Sequence, residues 1–287
     1  MGPEIKKSNL VYSYNTIRLT KSRLEKGLLA LPKSIANLFP ENSQDINILF
    51  GESNRSFKKK FSSYSSTTRE CRIGGMAKWF RENQLDNGDE IVLQVINKNE
   101  NLYRVIPEKM FVNKICELEN DFDKSTTENE ADELLSNIGN WAHGTRENII
   151  INEYGRLILK SETNPRKRYE QGTRMTKEAT PSDIRLLLGE LYKGHCQVCD
   201  FWFLKRDHLP YYEIHHLNSS MGSNPKNLLL VCANCHNQFE YSTINMQFDK
   251  TGWLSRVRFN ERQFDVNQIT HNIAFNRPLK KTFDIIL

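Results

Sequence analysis

The sequence has no apolar run close to the ~18 residues that a membrane-spanning helix needs. Its first ten residues, MGPEIKKSNL, lack the apolar core of a secretion signal. No internal repeat is visible, and the 287 residues contain only 6 cysteines. We therefore expect a cytoplasmic protein with no membrane partner. In that reducing compartment, paired cysteines favour a metal site over disulfides.

Charge is present in slight positive excess, +5 overall, and it is unevenly distributed. Residues 117–133 contain eight acidic residues and one lysine, so this segment carries −7 and the remainder carries +12. An acidic connector between basic modules is typical of proteins with a polyanionic partner. A solvated acidic helix between ordinary domains would give the same pattern.

Four of the cysteines form two Cys-x-x-Cys pairs that are separated by 32 residues. Each pair brings two thiolates to one face of a tight turn, and two such turns supply the four sulfurs that tetrahedral Zn²⁺ prefers. The pattern therefore predicts a structural zinc on Cys196, Cys199, Cys232 and Cys235. The isolated Cys71 and Cys116 are interpreted as packing residues.

Three histidines lie close to the second cysteine pair. The segments 211–217 and 227–232 are rich in β-forming residues, and a helix is expected from residue 233. In a regular strand, His215 and His216 point to opposite sides, and His236 directly follows Cys235. Two converging imidazoles can hold a second metal ion, and a third can deprotonate water near neutral pH. These are the components of metal-assisted phosphodiester hydrolysis.

The motifs EIHHL and PKNLLLVCANCH resemble those of the HNH (ββα-metal) endonucleases, and most of all the restriction-type branch with a structural zinc. The resemblance covers about residues 185–243. It implies that His216 is the general base, that His215 and His236 bind a catalytic Mg²⁺ or Mn²⁺, and that Asn227 ties the loop that holds the base. Two glutamates stay open. Glu240 is either a third ligand or an exposed helix residue, and Glu213 is either an orienting group or a surface charge.

Residues 10–108 are predicted to be mainly β-strand with two short helices. The segments 17–40 and 74–95 resemble the two halves of the B-three DNA-binding pseudobarrel. That resemblance implies a core that includes Leu31, Trp79, Phe80, Leu85, Ile91 and Leu93. It also implies that two loops, 19–27 and 61–75, contact the major groove. The candidate DNA-binding side chains in these loops are Lys21, Ser22, Arg23, Lys26, Arg69 and Arg72.

The rest of the chain is assigned from local pattern. The acidic segment is expected to be partly helical, and residues 147–162 are predicted to form a hairpin around Tyr154-Gly155. Residues 164–183 are interpreted as a basic linker that lies on phosphates or is simply flexible. An amphipathic helix with Ser182 or Asp183 as its cap follows, and a strand is expected near residues 252–264.

Together these patterns predict an α+β protein with four regions. They are a DNA-recognition pseudobarrel (1–110), a region of connector, hairpin and linker (111–180), a zinc-stapled HNH nuclease domain (181–245) and a C-terminal extension (246–287). The expected function is that of a site-specific endonuclease similar to type II restriction enzymes, acting on double-stranded DNA. Since one ββα site cuts one strand, a double-strand break implies a homodimer or two binding events.

Three alternatives remain. The chain could be a modification-dependent HNH enzyme that recognises methylated DNA, and comparing the digestion of methylated and unmodified DNA separates these two classes. It could also be a non-catalytic regulator with a zinc ribbon. A homing endonuclease is disfavoured, because nothing in the sequence suggests a long recognition arm.

Overall fold

A computed structural model describes residues 12, 14–63, 71–160, 166, 168–171, 174–177 and 179–268. Within these ranges the chain divides into two compact units. The N-terminal unit contains the residues up to 117 together with 141–143, and the C-terminal unit contains 118–140 and 144–268. No helix in the described part of the chain is both long and apolar enough to cross a bilayer.

The N-terminal unit is a seven-stranded sheet with short helices. In chain order its elements are β1 (Asn15–Arg18), α1 (Lys21–Lys26), β2 (Leu29–Leu31), a 3-10 helix (Lys33–Leu38), β3 (Gln44–Phe50), β4 (Ser56–Ser62), β5 (Cys71–Ile73), α2 (Ala77–Glu82), β6 (Glu90–Asn97) and β7 (Leu102–Pro107).

The strand order in this sheet is β1-β6-β7-β3-β4-β5-β2. Strands β3 and β7 run parallel, and the other neighbouring pairs are antiparallel. Because β1 and β2, the two ends of this order, also contact each other, the sheet is nearly closed. The prediction of a β pseudobarrel with short helices is therefore confirmed.

The interior of the barrel is apolar and continuous. Five of the six predicted core residues are buried, and the sixth, Leu85, packs against the core while partly buried. Phe39 stacks on Phe61 and on Tyr103, and the Tyr103 hydroxyl donates a 2.9 Å hydrogen bond to the Leu38 carbonyl. These contacts hold the 3-10 helix against the sheet and give the unit a core of its own.

Three helices replace the predicted connector and hairpin. They are α3 (Glu108–Phe122), α4 (Glu128–Ala142) and α5 (Arg146–Leu159). The hairpin prediction for 147–162 is wrong, because the apolar positions repeat with helical spacing and Tyr154-Gly155 lies inside α5. Thr145 caps the helix by accepting a hydrogen bond from the Asn148 amide. The buried positions of α5 are Ile149, Ile150, Glu153, Tyr154, Gly155, Leu157 and Ile158.

The acidic segment is not a bare solvated connector. Several of its carboxylates pair with arginines that lie further along the same unit, on α5 and at position 185. Arg156 binds Asp123 at 2.6 Å and the fully buried Glu153 at 2.7 Å. The other arginine pairs of this segment are Arg156 with Glu119, Arg185 with Glu128 and Arg146 with Asp132. Arg146 also binds Glu190, outside the segment. Much of the local negative charge is therefore neutralised inside the C-terminal unit.

The remainder of the C-terminal unit contains one long helix, short strands and one further helix. Its elements are β8 (Arg168–Gln171), β9 (Arg174–Lys177), α6 (Ser182–Tyr192), β10 (Glu213–His216), a 3-10 helix (Pro225–Asn227), β11 (Leu228–Val231), α7 (Ala233–Tyr241), β12 (Ile244–Phe248), β13 (Leu254–Phe259) and β14 (Arg262–Asp265).

Three sequence-based predictions are corrected in this region. Strands β8 and β9 pair antiparallel within the predicted linker. The cap of α6 is Pro181, so Ser182 and Asp183 are its first helical residues and not its cap. The single strand expected near 252–264 is two strands, which form a three-stranded sheet with β12.

The β12–β14 sheet shares a core with the cysteine pairs. Leu254, Val257 and Phe259 are buried in one apolar cluster with Cys196, Cys232 and Cys235. The described part of the predicted C-terminal extension, residues 246–268, is therefore integral to the fold around the cysteines. Residues 269–287 lie outside the described part of the chain.

Candidate functional site

Four cysteine sulfurs converge in the C-terminal unit. Cys196, Cys199, Cys232 and Cys235 place their sulfurs within 4.8 Å of one another, and all but Cys199 are buried. The Cys199 and Cys232 sulfurs are 3.6 Å apart, too far for a disulfide. A tetrahedron with Zn–S bonds of ~2.3 Å requires about 3.8 Å between sulfurs. Because the four sulfurs lie this close together, the four thiols could hold a zinc ion.

The cysteine pairs fix the elements that carry the histidines. Strand β10 pairs antiparallel with β11, and His215 and His216 lie opposite Leu229 and Leu228. Cys232 then caps α7, because its sulfur accepts a hydrogen bond from the Cys235 amide at 3.5 Å. The result is a strand–strand–helix unit whose helix begins at the second cysteine pair. His236 therefore projects from a turn that the cysteines hold in place.

A second group of potential metal ligands lies beside α7. Donor atoms of His215, His236 and Glu240 all lie within 4.8 Å of one another. The rings of His215 and His236 meet nearly edge-on at 5.3 Å, and His215 stacks on Phe239 at 4.2 Å. Burial, and then the charges of His236 and His216, lower the pKa of His215 to about 4. Its imidazole is thus neutral at pH 7, which is the form that binds a metal ion.

Glu213 connects this group to Tyr211, which lies just before β10. One carboxylate oxygen of Glu213 contacts His236 Nδ1, and the other accepts a hydrogen bond from the Tyr211 hydroxyl. A metal-binding histidine commonly donates its second ring N–H to a carboxylate, which fixes the tautomer and the orientation of the ring. In the structure, Glu213 has the position of such an orienting group. The same contacts, first Tyr211 and then His236, hold the pKa of Glu213 below its usual value.

His216 faces away from this group, toward the loop between β10 and β11. Its Nε2 lies 3.3 Å from the Ser223 hydroxyl, and its ring is largely buried. Asn227 holds the same loop from the other side. Its amide nitrogen donates to the carbonyls of Asn218 and Gly222, both at 3.0 Å, and its oxygen accepts from the Asn218 amide at 2.8 Å. The Asn227 side chain therefore ties several positions of the loop that borders His216, and the side chains of Asn218 and Asn224 accept further hydrogen bonds within it.

In the barrel, four of the six predicted DNA-binding residues share one helix. Lys21, Ser22 and Lys26 are exposed on α1, and Arg23 is half-buried, with a 3.1 Å hydrogen bond to the Arg18 carbonyl. Arg72 lies in β5, away from this helix in sequence, where it pairs with Ala30 and Ser62 in the neighbouring strands. Arg69 lies outside the described residues.

Two residues of the site go beyond the sequence-based prediction, which omits Tyr211 and leaves Glu213 open. Strand alternation is the signal that could identify both, since Tyr211, Glu213 and His215 are spaced two residues apart and share a face of an extended chain. His215 is a predicted ligand, so the polar residues on its face are candidates for orienting roles. Ser223 gives no comparable sequence signal, because its position depends on the loop conformation.

Comparisons with known proteins leave the family of this chain open. No protein-family model and no curated protein sequence matches it. Among solved structures, part of the chain is similar to FUS3 and to LEC2, both from Arabidopsis and both solved as DNA complexes. It is also similar to the N-terminal domain of Helicobacter pylori LlaJI.R1.

These likenesses are confined to about a third of the chain. FUS3 is 15% identical to this chain. The match covers 32% of this chain and 92% of the FUS3 chain, with a TM-score of 0.28. LEC2 is 18% identical, and the match covers 37% of this chain and 96% of the LEC2 chain, with a TM-score of 0.28. The LlaJI.R1 domain is 16% identical over 33% and 85%, with a TM-score of 0.26. The assignment of a pseudobarrel rests on the strand order and on the contact between β1 and β2.

Proposed function

We propose that the chain is a metal-dependent, site-specific DNA endonuclease in which the barrel recognises double-stranded DNA and the C-terminal unit hydrolyses a phosphodiester bond. The observation that carries this proposal is the convergence of His215, His236 and Glu240 within 4.8 Å, next to a third histidine, the largely buried His216. A zinc ribbon needs only its four cysteines. The surplus histidines are therefore available for chemistry.

In this proposal the two imidazoles and one carboxylate hold a divalent cation such as Mn²⁺ or Mg²⁺. The carboxylate oxygen suits both ions, and imidazole is a usual ligand of transition metals. Such an ion, when bound, supplies positive charge to the phosphate and to the departing 3′ oxygen. His215 and His236 would hold the ion, and Glu240, exposed on α7, would complete the set. Glu213 would keep His236 in the orientation that presents one ring nitrogen.

His216 takes the role of general base in this proposal. Ser223 and the loop tied by Asn227 restrict its ring, and a restricted imidazole can accept a proton from water in one defined direction. Since His215 and His216 face opposite sides of β10, one adjacent pair of residues provides a metal ligand and a base that do not compete. Such fixed positioning is the main contribution a protein makes to this reaction.

The barrel supplies a surface of suitable charge. Exposed Lys21 and Lys26 flank Ser22 on α1, and Lys58 and Lys60 project from β4. Lysines of this kind neutralise phosphates, while arginines such as Arg72 can contact base edges. The barrel is therefore the module that we propose to place the nuclease unit on its target.

The proposal is tested by nicking of supercoiled plasmid with Mn²⁺ or Mg²⁺. We expect the wild-type chain to convert supercoiled DNA to the nicked form and the His216→Ala variant to do so at least about a hundredfold more slowly. The His143→Asn variant is the control, since His143 is exposed and its φ of 55° suits asparagine. The enzyme assignment fails if wild type and His216→Ala nick at the same rate while both retain zinc.

A further inference from the structure

An exposed apolar segment directly follows the first cysteine pair. We call residues 201–206, Phe-Trp-Phe-Leu-Lys-Arg, the knuckle loop. Its first four side chains are 53%, 47%, 44% and 50% exposed, and Leu209 beyond it is 58% exposed. Large apolar side chains at such exposure, adjacent in sequence, mark a surface that contacts something. None of the chemistry proposed above uses them.

Hydrogen bonds hold the knuckle loop in one conformation. The Cys196 amide donates to the Phe201 carbonyl at 3.1 Å, which ties the start of the loop to a zinc ligand. The Tyr211 amide donates to the Phe203 carbonyl at 3.0 Å, and the Lys205 amide donates to the Leu209 carbonyl at 2.8 Å. The loop therefore presents its apolar side chains from a fixed support.

A chain of side-chain contacts connects the knuckle loop to the candidate metal site. The Phe203 ring stacks on Tyr211 at 5.1 Å. Tyr211 then donates to Glu213, and Glu213 contacts His236. One ring and one carboxylate thus separate an exposed aromatic side chain from a proposed metal ligand. Whatever binds the loop lies next to the site of the proposed reaction.

The area of the patch indicates whether its binding partner is a second copy of the chain or DNA. Side chains of this size offer about 150–250 Å² each, so five at roughly half exposure present about 500 Å². A standard protein interface buries about 800 Å² on each partner. In contrast, a few apolar side chains suffice to enter a base step, and the loop ends with two cationic residues. Asp207 pairs with Lys205 at 3.0 Å, while Arg206 is exposed.

We propose that the knuckle loop is a second DNA contact, in which Phe201 and Trp202 insert against the bases beside the scissile phosphate and Arg206 binds the backbone. The inference rests on the proposed function only in taking DNA as the substrate. It predicts that bound DNA is locally unstacked, which the barrel and the metal site do not require. Inserted side chains untwist the duplex, so the effect is measurable on DNA of any sequence.

The test is ligation of a singly nicked plasmid in the presence of the full chain, followed by counting of topoisomers after the protein is removed. The chain carries His216→Ala in every sample, so that no cutting is needed. We expect bound protein to shift the distribution toward negative linking difference. Adding Phe201→Ala and Trp202→Ala should abolish the shift and weaken DNA binding about tenfold or more. Phe248→Ala, an equally exposed aromatic side chain on β12, should leave both unchanged.

Zinc content and sedimentation of the same samples make each outcome decisive. An undiminished topoisomer shift in the loop variant overturns the inference. So does a change from dimer to monomer with unchanged DNA affinity, which would identify a self-association surface. If the double variant loses zinc, Phe201→Ala and Arg206→Gln are compared singly by the same criteria. Wild-type nicking is scored separately, so loss of the endonuclease assignment is distinguishable from loss of this contact.

Discussion

At the scale of single residues, Glu213 connects a predicted metal ligand to the residues around it. It bridges Tyr211 and His236, and a neutral amide in its place would not favour the Nδ1–H tautomer of His236. We predict that Glu213→Gln weakens Mn²⁺ binding about 10–100-fold, measured by isothermal titration calorimetry on zinc-loaded protein. Glu261→Gln, on an exposed turn, is the control. Equal Mn²⁺ affinity in wild type and Glu213→Gln would show that the contact does not orient a ligand.

Individual ligands are more predictable from the sequence than the contacts around them. Cysteine spacing indicates zinc chemistry, because two tight turns with two thiols each leave few other arrangements. Adjacent histidines on a strand must diverge, so alternation alone distinguishes the direction of His215 from that of His216. The hydrogen bonds of Asn227 depend instead on the backbone conformation of the loop it ties. No sequence pattern specifies that conformation, so their geometry could not be predicted.

Asp183 is a buried carboxyl group that makes the stability of its unit depend on pH. It is 2% exposed at the start of α6, its Oδ1 has no hydrogen-bond partner among the described residues, and burial raises its pKa to about 7. Glu119, in the same unit, is raised to about 7 as well, mainly by burial and then by Glu153. Because both folded-state pKa values exceed the unfolded values, the folded state keeps these protons up to a higher pH than the unfolded state does. These two groups therefore contribute stability that is fully present below about pH 4 and is lost as the pH rises to about 7.

We predict that Asp183→Asn flattens this part of the pH dependence and increases the free energy of unfolding at pH 8. The gain should be a few kcal/mol, with about 4 kcal/mol as its upper bound. Urea denaturation of the C-terminal unit at pH 5 and pH 8 provides the measurement. Asp265→Asn serves as the control, since Asp265 is exposed and pairs with Arg256 on the surface. A variant that gains nothing at pH 8 would mean that Asp183 is ionised without cost.

At the scale of elements, the barrel strands follow from the alternation of apolar residues, but α5 does not. Residues 149–158 satisfy a strand-like composition and a helical spacing at once, and the Tyr-Gly pair is compatible with a turn as well as with a helix. Tertiary contacts decide such cases, and here Arg156 on α5 binds Asp123, which directly follows α3. The β12–β14 sheet is predictable only in part, because its partners in the core are the cysteine turns and not a neighbouring strand pattern.

The β12–β14 sheet contacts the candidate metal site through a series of aromatic rings. Phe259 is 2% exposed and meets Phe239 edge-on at 4.8 Å, and Phe239 stacks on His215. We predict that Phe259→Ala costs about 3–5 kcal/mol of stability and accelerates zinc release to a chelator. Denaturation and a colorimetric zinc assay measure the two effects. Phe248→Ala on the neighbouring strand should change stability by less than about 0.5 kcal/mol. Similar losses in both variants would contradict the idea that β13 supports the site.

At the scale of the whole molecule, each unit contains its own apolar core. The barrel core includes Trp79 and Phe80 and none of the four paired cysteines, whereas the other core includes Cys196, Cys232 and Cys235. Separate cores mean that the two units need not unfold together. Length and composition are enough to suggest more than one domain, but it is the distribution of buried residues that gives the division this physical meaning.

Zinc removal should therefore act on one unit only. Structural zinc contributes about 10–16 kcal/mol of binding free energy in small zinc modules, so its loss is expected to unfold the C-terminal unit or lower its melting temperature sharply. In differential scanning calorimetry, chelator should remove the transition of the C-terminal unit, and added zinc should restore it. The transition of the barrel should stay unchanged throughout. Phe80→Leu, which alters only the barrel core, identifies that transition by shifting it alone. Two transitions that move together on chelation would mean that the cores are energetically coupled and that the zinc stabilises the whole chain.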